Sequence, residues 1–461
     1  MRFFGKIVLG VAAIIALGVA ALAGWLYMQP PALIRVGSGY AAKIVCSNFF
    51  LADRQPDEVL RADVQAPGHW LLGYMSVEVD AAQKTATAGL LGVFGKSVAV
   101  AREGLGCAVV PDGDIARASA MGLPVRDVKV SDALWPEGAL VQPSQAPEIT
   151  EILNDEAMMG QGMRAVTVVH NGRIIGERYA NGFAPDTPLL GWSMSKTVNA
   201  AIIGTLIRDG KLALDQKSLF AQWAGDPRKD ISVADLMAMS SGLEFNEDYG
   251  DVTDVTRMLY LEPDMAGFAA SKPLAHPVGS VWSYSSGTSN LLSRVWQGAI
   301  GDADAALALP RAALFEPLGM TSAVLETDAR GTLAGSSYVY ASAHDWARFG
   351  QFLLDGGVWE GKQILPAGFV DWMREPAPAS QGEYGRGQLW LHGSDSGAAP
   401  GENPDHGFDL PADTFWLLGH DGQSVAIIPS KKLVVVRMGL TPSNLQYRAQ
   451  GLVSALAKAV E

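Results

Sequence analysis

The sequence predicts an α+β protein in which one antiparallel sheet, assembled from both ends of a long C-terminal segment, is flanked by helices. Three observations carry this. The segment opens with β-patterned runs at residues 165–170 and 173–179 around Asn171-Gly172, a strong two-residue hairpin signal. It closes with β runs at 414–418, 424–428 and 433–438 and a helical stretch at 445–460. Between them, residues 244 to about 376 are mostly helix and loop, as expected of a helical subdomain inserted into the sheet's connections.

The chain begins with Arg2 and Lys6 ahead of an unbroken apolar run over residues 7–28, longer than the roughly 20 residues a helix needs to cross a bilayer. Positive charge before the run and none until Arg35 places the N-terminus inside and the bulk of the chain outside. The expectation is an inner-membrane anchor with the remainder in the periplasm or outside the cell. Ala21-Leu22-Ala23 has the small-x-small pattern of a signal-peptidase site, so a cleaved signal peptide is the alternative. The run continues past that site through Trp25, Leu26 and Tyr27, and this favours an uncleaved anchor.

Residues 29–145 read as a small α+β unit with a linker. A helix is expected over 41–51, alternating runs fall at 75–79 and 97–110, and 111–147 reads as connection. The chain has two cysteines, Cys46 and Cys107, and in an exported protein an even count suggests a bridge. Residues 146–461 form the third division. Their first helix is expected over 149–158, and Ser232-Val233-Ala234-Asp235 has a capping-box pattern.

With 461 residues, 48% hydrophobic and 18% charged, the chain is globular and long enough for more than one domain. Its formal net charge of −13 argues against nucleic acid as a partner. The seven histidines are scattered, so no metal site is expected and no cofactor is implied.

The most informative stretch is Pro188-Leu189-Leu190-Gly191-Trp192-Ser193-Met194-Ser195-Lys196-Thr197-Val198-Asn199. It predicts a helix from Ser193 to about Asp209, stopped by Gly210, with Val198, Ala201, Ile202, Leu206 and Ile207 on its apolar face. Residues three apart meet on neighbouring turns, so Ser193 Oγ and Lys196 Nζ share the helix's N-terminal end. A serine hydroxyl needs an adjacent base to become a nucleophile, and a lysine serves if burial lowers its pKa. Alone, the tetrapeptide is weak, because a serine at a helix start is ordinarily an N-cap.

Two further stretches strengthen it: Trp282-Ser283-Tyr284-Ser285-Ser286-Gly287 and Leu418-Gly419-His420-Asp421-Gly422-Gln423-Ser424. Together the three motifs resemble the serine β-lactamase and penicillin-binding-protein superfamily. The likeness is to its class C branch, with the related carboxylesterases and 6-aminohexanoate-dimer hydrolases. That family carries Ser-x-x-Lys, Tyr-x-Asn and Lys-Thr-Gly or a substitute such as His-x-Gly in this order. Here they stand as Ser193…Lys196, Tyr284-Ser285-Ser286 and His420-Asp421-Gly422. The stretches at 314–320 and 347–350 also look like the family, and the likeness covers about residues 146–461.

The resemblance implies a β-lactamase/transpeptidase-like fold and catalysis by Ser193, Lys196 and Tyr284. It implies an oxyanion hole from the N–H groups of Ser193 and Gln423, with His420, Gly422, Ser286 and Tyr249 near substrate. A phenol beside a lysine ammonium is expected to have a lowered pKa, which would let Tyr284 accept the Ser193 proton. Two positions depart from the family. Ser286 replaces its asparagine, and His420 replaces its permanent cation, a weaker charge at neutral pH. The serine–aspartate–asparagine motif of class A is absent, and Gly191-Trp192-Ser193-Met194-Ser195 misses the last glycine of an α/β-hydrolase elbow. The expected activity is therefore hydrolysis of a small ester or amide through an acyl-enzyme at Ser193. D-Ala-D-Ala carboxypeptidase, β-lactamase and a non-catalytic envelope binding protein are the alternatives.

Overall fold

A computed structural model describes residues 2–66, 68–124, 131–399 and 401–460. They divide into two compact units. The first combines Met1–Ala101, Cys107–Ile115 and Asp248–Pro263; the second takes Arg102–Gly106, Ala116–Glu247 and Asp264–Glu461.

The first unit starts with α1 (Arg2–Met28). Its stretch Lys6–Met28 has a mean hydropathy of 2.6, and the protein buries none of it. After Pro30-Pro31, α2 (Ala32–Ala52) lies on a four-stranded sheet of β1 (Met75–Asp80), β2 (Thr85–Leu90), β3 (Phe94–Arg102) and β4 (Gly106–Val109), in that order. The α2 helix begins nine residues before the expected 41 because Gly37 and Gly39 are packing positions here and not breaks. A Cβ on Gly37 would stand 2.7 Å from Met75 Cε, and one on Gly39 would stand 2.9 Å from Tyr260 Cβ. Ile34, Ala41, Ala42, Ile44, Val45 and Cys46 are buried on this helix. The Cys46–Cys107 disulfide ties it to β4.

In the second unit, α3 (Pro147–Asn154) leads into β5 (Met163–His170) and β6 (Arg173–Tyr179). Then come α4 (Met194–Arg208), α5 (Ser286–Ile300) and α6 (Ala343–Leu354), followed by β7 (Phe415–Gly419), β8 (Gln423–Ile428), β9 (Leu433–Gly439) and α7 (Gln450–Ala459). The five strands form an antiparallel sheet in the order β7-β8-β9-β5-β6. The N- and C-terminal strands of the segment thus meet at β9–β5, where Val435 stands opposite Val168. The period-2 alternation of strands sends Val166, Val168, Ala426, Leu433 and Val435 to one face, where they pack with Ile149 and Leu153 of α3 and Leu452, Val453 and Leu456 of α7. The other face receives α6. Gly350 allows that close approach, since a Cβ there would lie 2.5 Å from Val434 Cγ1.

The expected capping box at Ser232 and Asp235 is present. Two expectations shift. The terminal helix starts at Gln450 and not 445, because residues 443–445 form a 3-10 turn ended by Gln446 in the left-handed region. Residues 116–124 and 131–147, read as connection, belong to the second unit. Trp135 there is buried and its Nε1–H donates to His344 O, and Arg348 donates to the carbonyls of Pro136 and Gly138.

Replacing Cys46 and Cys107 together by alanine should lower the melting temperature, because the bridge closes a loop with a sequence separation of 61. Chain entropy assigns such a loop about 4 kcal/mol. Both cysteines lie in the first unit and Ser193 in the second, so calorimetry should show the loss while turnover per folded molecule stays near that of the parent.

Candidate active site

Helix α4 presents Ser193 as expected, but not as a cap. Ser193 has helical dihedrals (φ −65°, ψ −10°) and its hydroxyl makes no capping bond to the helix. The turn into it is strained. Trp192 adopts φ 48°, unusual for a bulky residue, and is held there by burial between Tyr338 and His420, with ring centroids 6.3 and 5.5 Å away. Gly191 N–H donates to Val339 O, and Ser195 Oγ accepts from Val339 N–H at 2.9 Å. The first turn of α4 is thereby clamped to a short three-stranded sheet.

Lys196 is buried. Its Nζ lies 3.1 Å from Ser193 Oγ, 3.0 Å from Ser286 Oγ and 3.0 Å from Ser336 O. Burial lowers its pKa to about 8, with Glu247 pulling the other way. The proton directions in this cluster follow from what each group can do. Ser336 O only accepts. The Ser286 hydroxyl donates to Glu247 Oε1, while Glu247 Oε2 accepts from Ser286 N–H at 2.8 Å. Ser286 Oγ therefore faces Lys196 as an acceptor. In a neutral lysine both N–H groups are committed to Ser286 and Ser336, and the lone pair points at Ser193.

Tyr284 joins this group through a side-chain hydrogen bond with Ser193. The expectation of a lowered phenol pKa is overturned. Burial, reinforced by the Glu247 carboxylate, raises it. Lys196 does not offset this: Nζ sits over the ring face, 4.6 Å from its centroid, and with a pKa of about 8 the amine has lost its charge before the phenol ionises. Tyr284 is thus a standing O–H donor. Behind it, Tyr384 and Trp390 form an aromatic wall, with ring centroids 5.8 and 5.3 Å from that of Tyr284.

The third motif forms the turn between β7 and β8. β7 reaches the start of α4, since a Cβ on Gly419 would lie 2.2 Å from Gly191 O. His420 is half-exposed, its ring edge against Trp192 and its Nε2 3.5 Å from Asp421 Oδ1. Burial raises the pKa of Asp421, and His420 opposes the shift.

Three further expectations change. The Gln423 N–H was assigned to the oxyanion hole. Trp416 exchanges both backbone bonds with Trp390 on the outer edge of β7, so alternation turns Leu418 the same way and turns Gly419 toward its partner Gln423. The Gln423 N–H faces the sheet, and its side chain is buried on Gly439. The outward donor on this edge is Leu418 N–H. Ser286 was expected at substrate; it is fully buried, its hydroxyl held between Lys196 and Glu247. Gly422, with φ 83°, makes its close approach to Arg437 and Thr441. Tyr249 is exposed, in the Asp248–Pro263 segment of the first unit.

Two contributors escaped sequence reasoning. Glu247 stands two residues before Tyr249 in a stretch with no motif of its own. Arg437 is fully buried and bonds the carbonyls of Gly422 and Met159 and the Thr441 hydroxyl. It fixes the turn after β7. One signal was available for it: a lone arginine inside the apolar run Leu433-Val434-Val435-Val436-Arg437.

The family model for beta-lactamase matches residues 156–455. The chain belongs to the beta-lactamase family. It is 24% identical over 317 residues to the 6-aminohexanoate-dimer hydrolase of Paenarthrobacter ureafaciens, an overlap of 63% of this chain and 76% of that one. Among solved structures it resembles a candidate 6-aminohexanoate-dimer hydrolase from Bacillus anthracis (TM-score 0.52, 23% identity, 68% of this chain and 80% of that chain). It also resembles EstCE1, a hydrolase with promiscuous acyltransferase activity (TM-score 0.50, 16% identity, 67% and 98%). At these identities the structural likeness speaks for the fold.

Glu247→Gln should separate the carboxylate's two effects. Loss of the anion lowers the Lys196 pKa further, so the pH at half-maximal reaction of Ser193 with a fluorophosphonate should move to lower pH. Loss of a fixed acceptor for Ser286 should cut the maximal rate by about tenfold, the order of one well-placed charged hydrogen bond. Glu247→Asp should restore part of both. A reduced rate with no pH shift would mean that Glu247 only packs.

Proposed function

We propose that this protein is a serine hydrolase that cleaves small esters or amides through an acyl-enzyme on Ser193. The observation that carries the reading is the lysine cluster: a buried Lys196 with two directions fixed on acceptors and the third on Ser193 Oγ. Neutral Lys196 takes the hydroxyl proton as Oγ attacks the carbonyl carbon. The oxygen that becomes negative is held by the N–H of Ser193 at the start of α4 and by Leu418 N–H on the edge of β7. Tyr284 gives its proton to the departing alkoxide or amine, and the proton held by the Lys196 ammonium returns to the phenolate. Water then attacks the ester carbonyl with the same groups acting in reverse.

The third motif supports neutral substrates over carboxylate-bearing ones. Asp421 stands beside His420, so a substrate carboxylate arriving there meets a like charge as well as a histidine. Esters and amides therefore rank above β-lactams and D-Ala-D-Ala stems. The exposed apolar α1 supports membrane association, and the apolar run past Ala23 favours its retention as an anchor, with the hydrolase unit on the outer side.

The test is adduct mapping followed by substrate screening. A fluorophosphonate should label Ser193 alone, and Ser193→Ala should abolish both label and turnover at a cost of about 1 kcal/mol or less in stability. Against p-nitrophenyl esters, short oligoamides and nitrocefin, turnover should favour the neutral esters or amides. Parent-like activity in Ser193→Ala would contradict the acyl-enzyme reading, and a preference for nitrocefin would move β-lactamase ahead.

A further inference from the structure

We propose that the first unit rests on the membrane surface through a face formed by the 3-10 turn Trp70–Tyr74 and the β2–β3 turn at residues 91–93, in the lipid headgroup layer beside α1. The inference depends on the reading of α1 as a retained anchor and is independent of the chemistry at Ser193.

The chain leaving α1 docks at this end of the unit. A Cβ on Gly95, at the start of β3, would lie 2.7 Å from Ile34 Cγ2 and 3.2 Å from Pro30 Cβ. Ser38 in the second turn of α2 donates to Gly95 O at 2.6 Å and meets Ser97 Oγ at 2.8 Å. The 3-10 turn is tied to the same end. Leu72 and Met75 fill the space over Gly37, and Leu91 N–H donates to Tyr74 O at 2.9 Å. Trp25 and Tyr27 lie within a turn of the helix end, about 5 Å along the axis. That is where interfacial aromatics mark the edge of the hydrocarbon.

The side chains on this face are the wrong ones for water. Trp70 is 71% exposed, Leu91 61% and Tyr74 55%, the three most exposed large apolar side chains outside α1 among the described residues. Val93 is exposed beside them. Leu91 adopts φ 52°, a conformation that Asn or Gly ordinarily fills, so turn chemistry does not account for a leucine there. Lys96, also exposed, adds a cation suited to anionic headgroups. The acidic end of the sheet is remote. Glu78 and Asp80 lie toward the β1–β2 turn with Lys84, about 13 and about 20 Å along the strands from residues 91–93.

The test uses the full-length protein in nanodiscs of phosphatidylethanolamine and phosphatidylglycerol. Both native cysteines are bridged, so Val93→Cys, Leu91→Cys and Lys84→Cys can each carry a single environment-sensitive fluorophore. The labels at 93 and 91 should shift to the blue and be quenched severalfold by headgroup-level doxyl lipids, while the label at 84 stays aqueous. Labels at 91 and 93 that behave like that at 84 would overturn the proposal. So would a blue shift without lipid quenching, which would indicate a protein partner. Intact mass and co-elution with the discs report the anchor separately. A chain that has lost residues 1–23 and stays outside the discs would overturn the anchor reading and this proposal with it.

Discussion

The site depends on one constraint: an amine is buried where, among the described residues, three acceptors reach it. A lysine in water keeps its proton far above neutral pH. At the first turn of α4, burial removes that hydration and brings the pKa to about 8. What surrounds the amine decides its use. Ser336 O and a Ser286 hydroxyl pinned by Glu247 occupy two directions, and only Ser193 remains. The carboxylate thus acts at one remove, by fixing which way a hydroxyl points.

The same network explains why Tyr284 differs from its sequence-based expectation. A neighbouring amine lowers a phenol's pKa only while it still carries its proton. Here burial, reinforced by the negative potential of Glu247, holds the phenol protonated, and Lys196, which lies over the ring, loses its own proton first. The proposed mechanism divides the labour accordingly, with the lysine as proton acceptor and the tyrosine as proton donor.

The fold was legible because it rests on local rules. The Asn171-Gly172 hairpin, the alternating late strands and the terminal helix state their periods in the chain, and the sheet joins them as expected. Ser193 and Lys196 were legible because three residues on a helix define a contact. What remained hidden was set by distant partners. No local pattern shows that Gly37 and Gly39 are packed against Met75 and Tyr260, so α2 was read short. The direction of the Gln423 N–H depends on Trp390 pairing with Trp416, which only the folded edge reveals. Glu247 reaches Ser286 across 39 residues, and nothing in its own neighbourhood announces that.

The proposed acylation turns on the protonation state of Lys196, so the most direct measurement is the rate of Ser193 acylation by a neutral p-nitrophenyl ester under single-turnover conditions, from about pH 6 to about pH 10. A base that works in its neutral form predicts a rate that rises with pH through a single ionisation near the lysine's value of about 8 and then levels. The rate should be lost below that ionisation as the amine is protonated. A rate that is flat across this range, or that falls as pH rises through it, would contradict Lys196 as the base.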